Sequence, residues 1–168
     1  MISDQQMRGG VGAPPRKVLI MGVGNLLLTD DGFGVHVINS LNPIDFPDNV
    51  TLLEAGTVSH QLIPMFRELD LLIVIDAVQA GDTPGSVFRF TPDDLQFKYQ
   101  QKLSLHQISL IDVLRMAELT GGKPETVIIA VQPKDVNSPS MELSAEIKAV
   151  IPKVTELIFQ ELKKAKVL

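Results

Sequence analysis

The sequence predicts an α/β fold of three layers. A mostly parallel five-stranded sheet carries helices on both faces and includes one antiparallel strand. Three observations lead there. Short apolar runs of strand length alternate with stretches whose apolar residues recur at helical spacing. The run Leu71–Asp76 is apolar up to its last residue, as befits a central strand covered on both faces. The first run, Val18–Met21, passes into a helical pattern through Gly22-Val-Gly-Asn-Leu-Leu-Leu-Thr-Asp-Asp-Gly-Phe-Gly34, a connection with four glycines and two adjacent aspartates.

In chain order, Lys17–Met21 is the first strand, and Val35, Val37, Ile38 and Leu41 mark the buried side of the first helix. Asn42-Pro43 and Phe46-Pro47-Asp48 punctuate the link to a second strand, Val50–Glu54. A helix is expected across Ser59–Arg67, with Ser59 as N-cap and Pro64 in the early turn that tolerates it. Leu71–Asp76 is the third strand. Ser86–Phe90 is the fourth, and its short connection to the third predicts an antiparallel neighbour. Ser104-Leu-His-Gln107 has capping-box spacing and opens a helix with Ile108, Ile111 and Leu114 on one face, ending at Gly121-Gly122. Val127–Val131 is the fifth strand. From Ser144, the series Ile147, Val150, Val154, Leu157, Ile158 and Leu162 predicts a long helix that Pro152 bends or splits.

Composition narrows the function classes. The 168 residues fit one domain, expected over 17–168, after a flexible tail at 1–16 that lacks an apolar signal region. A net charge of -5 without a basic stripe argues against a nucleic-acid partner. The absence of cysteine removes disulfides and thiolate ligands and fits a cytoplasmic protein. Apolar runs such as Leu71–Ile75 and Val127–Val131 are far shorter than the ~20 residues of a membrane span, so no membrane partner is expected.

The glycine-rich connection is the wrong shape for a nucleotide. A phosphate cradle is rich in backbone donors, and carboxylates aimed at the same place repel the anion. Asp30 and Asp31 instead suit a cation or proton chemistry. In open α/β sheets the ligand crevice lies beyond the carboxyl ends of the strands, where strand order reverses. With strand one between strands two and three, that crevice receives Asp31 from the first loop and Asp76 from the end of strand three. His106, near the start of its helix, is the third candidate. Two carboxylates and an imidazole form an open ligand set for nickel, zinc or manganese, and also an acid–base set. The spacing is not His-Glu-x-x-His. Asp30 is read as ordinary capping beside Thr29, and Glu54 as a weaker candidate for the crevice. His36 is expected to face solvent, and both His36 and His60 to be structural or inert.

The first motif, together with Glu54-Ala-Gly-Thr57, Val74-Ile-Asp-Ala77 and Ser104-Leu-His-Gln107 in this order, resembles the nickel–iron hydrogenase maturation endopeptidases over about Lys17 to Lys163. The resemblance implies a protease that removes a C-terminal extension from a hydrogenase large-subunit precursor after nickel has entered it. It also implies metal contact through Asp31, Asp76 and His106, with the first position commonly glutamate in the family. Nickel would come with the precursor, and another divalent metal in the free protein stays open. Either the ion polarises the scissile carbonyl or a water, or it serves recognition while Asp31 or Asp76 acts as base. A monomer is expected. The alternatives are a nickel-sensing chaperone that binds the same precursor without cutting it, a dinucleotide-binding oxidoreductase and a peptidyl-tRNA hydrolase. The oxidoreductase is disfavoured because Leu27 holds the third glycine position. The hydrolase lacks its basic surface.

Overall fold

In the computed structural model, which describes residues 14–58, 60–99 and 104–168, β1 (Val18–Val23) and β3 (Leu71–Ala77) are buried at every position. Their side chains alternate between two cores. Val18, Ile20, Leu71, Ile73 and Ile75 pack on one face with α1 (Phe33–Leu41) and α6 (Ile151–Lys164). Leu19, Met21, Val23, Leu72 and Val74 pack on the other with α2 (Ile63–Phe66) and α4 (Leu105–Leu119). Each fully buried aliphatic side chain contributes about 1.5–3 kcal/mol by leaving water. Two such cores back to back explain why these strands read as unbroken apolar runs.

The sheet order is β2-β1-β3-β5-β4, where β2 is Val50–Gly56, β4 is Val87–Phe90 and β5 is Glu125–Val131. β1 pairs in parallel with β2 and β3, and β3 pairs in parallel with β5. The reversal of strand order therefore falls between β1 and β3, as expected. β4 is antiparallel, also as expected, but its neighbour is β5 and not β3. The intervening strand supplies the reason. Parallel β5, buried over Val127–Val131, takes the place beside β3, and the less apolar β4 is left at the edge. The bidentate ion pair from Arg89 to Glu161, at 2.9 and 3.0 Å, ties that edge to α6.

The helices follow their local chemistry with three departures. The expected Ser59–Arg67 helix is a short 3-10 turn, His60–Leu62, followed by the single turn of α2, with Pro64 in its first turn; Ser59 lies outside the described residues. The Pro92–Tyr99 segment forms α3, which the apolar pattern did not announce. Ile108 is exposed, because α4 covers the sheet with Leu110, Val113 and Ala117 while its first turn overhangs the crevice. Elsewhere the signals hold. Both capping-box bonds of Ser104 and Gln107 are present. The Gly121 and Gly122 amides return to the Glu118 and Ala117 carbonyls, which closes α4 with a Schellman motif. Pro152 splits the last helix into α5 (Ala145–Lys148) and α6. It sits in the first turn of α6, where its missing N–H costs nothing.

Two glycines bring α1 and the turn before it against the strands. A Cβ on Gly34 would collide with the carbonyl oxygens of Ile75 and Val23. Gly24 has φ +131, and a Cβ there would strike the Asp31 carbonyl. These close approaches seat the 3-10 turn Thr29–Gly32 directly over the strand ends.

Candidate functional site

Three elements deliver the site. Asp31 stands in the turn after β1, Asp76 is the penultimate residue of β3, and His106 is the second residue of α4. Asp31 Oδ2 accepts from the Asn25 amide at 2.9 Å and from His106 Nε2–H at 3.2 Å. An ionised carboxylate only accepts, so the proton of that contact belongs to the imidazole. The two side chains are 13% and 17% exposed, shielded yet open to a ligand. The aspartate is one methylene shorter than glutamate, and it still reaches the imidazole.

Asp76 is 1% exposed. Its Oδ1 accepts from the Ala77 amide at 2.8 Å, and its Oδ2 accepts from Gln107 Nε2–H at 2.5 Å. Burial pushes its pKa from 3.8 to about 7. The Gln107 and Ala77 donors and the charge of His106 offset this only in part, and Asp31 adds to the rise. The His106 pKa is also raised, first by its hydrogen bond to Asp31 and further by the charges of Asp31 and Asp76, against the opposing effect of burial. The three groups therefore sense one another electrostatically at the reversal point between β1 and β3. Among the described residues, no group of three or more histidines and carboxylates is gathered closely enough to hold a metal ion unaided.

The donor set nonetheless suits a borderline cation such as nickel or zinc. A buried carboxylate that ionises reluctantly gains most from a positive charge brought beside it. Asp31, Asp76 and His106 are the residues that would contact such an ion.

The other sequence candidates separate. Asp30 is fully buried, and its partners are distant. Its Oδ2 accepts from the Lys134 and Asp135 amides and the Ser144 hydroxyl, and its Oδ1 accepts from the Ser144 amide. It is thus a structural residue, as expected, but it clamps the 132–144 loop and caps no helix nearby. His36 is half buried, with its Nε2 3.0 Å from the Met141 carbonyl at the surface. His60 is exposed. Glu54 is exposed and lines an open groove with Asn25, Leu26, Gly56 and Thr57, beside Asp31 rather than within its hydrogen-bonded cluster. Sequence reasoning missed the contact of Gln107 with Asp76. The only trace of it is that the capping position beside His106 holds glutamine and not glutamate.

Fold and site define an α/β protein whose sheet presents two carboxylates and an imidazole at its switch point, the equipment of acid–base or metal-assisted hydrolysis. A family model described as HycI, hydrogenase maturation protease, matches residues 35–161, which include Asp76 and His106 and begin just after Asp31. The hydrogenase expression/formation protein HupD of Rhizobium leguminosarum bv. viciae is 35% identical over 157 residues, covering 91% of this chain and 78% of that protein. The solved structure of the hydrogenase maturating endopeptidase HybD from E. coli superposes with a TM-score of 0.82 at 30% identity, covering 89% of this chain and 93% of that one. The NiFe hydrogenase maturation protease HybD of Thermococcus kodakarensis gives a TM-score of 0.70 at 28% identity, covering 86% and 97%. Of some other relatives the chain spans less, 65% of the Azotobacter vinelandii protein and 60% of the Rhodobacter capsulatus one. The chain belongs to the hydrogenase maturation protease family, a family of endopeptidases.

Proposed function

We propose that this protein removes the C-terminal extension of a nickel–iron hydrogenase large-subunit precursor once nickel is in place, and that it recognises that nickel through Asp31, Asp76 and His106. Family membership supports the precursor as substrate. The observation that carries the nickel contact is the juxtaposition itself: a buried, reluctantly ionised Asp76 beside the Asp31–His106 pair, all at the sheet's switch point. A site that meets its ion on the substrate needs no cage closed in advance. Nickel therefore arrives as part of the substrate.

When the precursor docks, its nickel supplies a docking point and Lewis acidity toward the scissile carbonyl or a water. The chain's own residues do the rest. To meet the ion, His106 would release its Nε2 proton to solvent, or carry it on Nδ1 instead, so that the freed Nε2 lone pair could bind, and Asp31 would add an oxygen ligand. The carboxylate of Asp31 or of Asp76 takes the proton from the attacking water. The sequence contains no cysteine, so a thiolate nucleophile has no part. The groove along Glu54, Gly56 and Thr57 adjoins Asn25, whose amide holds Asp31, and we place the extension there. The protein acts as a monomer in the cytoplasm. Among the described residues no helix is long and apolar enough to cross a membrane.

The test is a cleavage assay with nickel-loaded and nickel-free precursor, read by mass spectrometry. Cleavage of the loaded form alone is expected, and it is abolished in Asp76→Ala and His106→Ala. Tight binding of the loaded form without cleavage would replace the protease by a chaperone. Equal cleavage of both forms would remove nickel from recognition.

A further inference from the structure

Resting on Asp31, Asp76 and His106 as the reactive centre, we propose that Gln107 is the positioning residue that aims the Asp76 carboxylate. The side chain is 2% exposed, and both ends of its amide are engaged. Gln107 Oε1 accepts from the Ser104 amide at 2.7 Å. Gln107 Nε2 donates to Asp76 Oδ2 at 2.5 Å and to the Ala77 carbonyl at 3.2 Å.

The orientation of that amide is not a free choice. A backbone N–H can only donate and a backbone carbonyl can only accept. Ser104 and Ala77 therefore fix which end is oxygen and which is nitrogen, and a flipped amide would oppose donor to donor and acceptor to acceptor. The NH₂ group must face Asp76. With the Ala77 amide on Oδ1, each carboxylate oxygen has one fixed donor, so the plane of the carboxylate is set. Each oxygen keeps a lone-pair site for the reacting groups.

The same helical turn holds His106 against Asp31, so one capping box sets two parts of the site in register. A capping box accepts glutamate as readily as glutamine at this position. Only glutamine also offers a donor to Asp76, whereas glutamate would set carboxylate against carboxylate. The neutral amide is thus chosen by the site and not by the helix.

Two kinds of variant separate these roles. Gln107→Glu keeps an acceptor for the Ser104 amide and loses the donor to Asp76. Gln107→Met keeps the volume and loses both. Ser104→Ala removes the hydroxyl that accepts the Gln107 amide and leaves the glutamine in place. Cleavage of nickel-loaded precursor, Tm and crystal structures are measured for each. We expect both Gln107 variants to lose roughly 10–100-fold in kcat at unchanged KM, as for other groups that orient a reactive side chain. The Asp76 carboxylate should be turned out of its wild-type plane in Gln107→Met. Ser104→Ala should lower Tm and keep kcat within about twofold. Wild-type kcat or an unmoved carboxylate in Gln107→Met overturns the proposal, and so does a loss of kcat in Ser104→Ala as large as that in Gln107→Met. If the wild type cleaves no precursor, the protease reading fails, and the carboxylate orientation in the variant crystals still decides the role of Gln107.

Discussion

At Asp76 two demands conflict, and pH exposes the conflict in the metal-free protein. The unfolded chain ionises this residue near 3.8, whereas the folded chain keeps it protonated up to about 7. Between those values the folded state binds the extra proton, so stability falls as pH rises from about 4 to about 7 and levels off above. The full penalty is roughly 4 kcal/mol, or on the order of 10 °C in Tm for a domain of this size. His106 acts with the same sign, since its raised pKa gives stability that is complete below about 6.5 and fades as pH rises through the folded value. In Asp76→Asn the Asp76 contribution disappears. Tm measured from pH 4 to 8 should therefore show the variant gaining on the wild type across that window and tracking it above. The new amide faces the Gln107 NH₂ and adds a cost that does not change with pH, so the slope is the readout and not the absolute Tm. A variant curve parallel to the wild type throughout would show that burial does not penalise this carboxylate. The same substitution should abolish cleavage. One substitution would then remove both the activity and the Asp76 part of the pH dependence of stability.

The glycines around the first turn act on whole elements. α1 lies so close to β1 and β3 that position 34 has no room for a methyl group, because the obstacles are backbone carbonyls that cannot turn aside. Gly34→Ala must push the helix off the strand ends. Overpacking of side chains costs about 1–3 kcal/mol, and a clash with backbone belongs at the upper end or beyond. Urea unfolding should show a loss of about 3 kcal/mol or more. Asp31 rides on the turn just before α1, so precursor cleavage should drop as well, more than in an equally destabilised variant at the remote Arg89–Glu161 pair. Equal losses of activity at equal stability would show that the close approach serves folding alone.

Across the molecule, Asp30 joins chain segments more than a hundred residues apart. Four donors from Lys134, Asp135 and Ser144 converge on its buried carboxylate. A backbone bond from the Asp30 amide to the Asp135 carbonyl and a bridge between Leu28 and Ser140 reinforce the seam. Removing the carboxylate leaves those donors without their acceptor, at about 1–3 kcal/mol for each one that water does not reach. Asp30→Ala should lose about 3 kcal/mol overall. Hydrogen exchange should quicken over residues 132–144 first and leave β1 and β3 protected. Uniform quickening along the chain would show that the loop is held by other contacts.

Adjacent aspartates at 30 and 31 show how far the sequence reaches. Local chemistry determined the five strands and the helices α1, α4 and α6, the capping box at Ser104, the split at Pro152 and the convergence of Asp31, Asp76 and His106, but not α3 or the shortness of α2. Each of these follows from periodicity, turn residues or the rule that ligands gather where strand order reverses. Only the tertiary structure decided that Asp30 clamps a distant loop, that β5 separates β3 from β4, and that Gln107 holds Asp76. These are long-range pairings between groups whose local surroundings are ordinary. Their partners are selected by which buried donors and acceptors come face to face once the layers have packed, and nothing within a few residues of sequence encodes that choice.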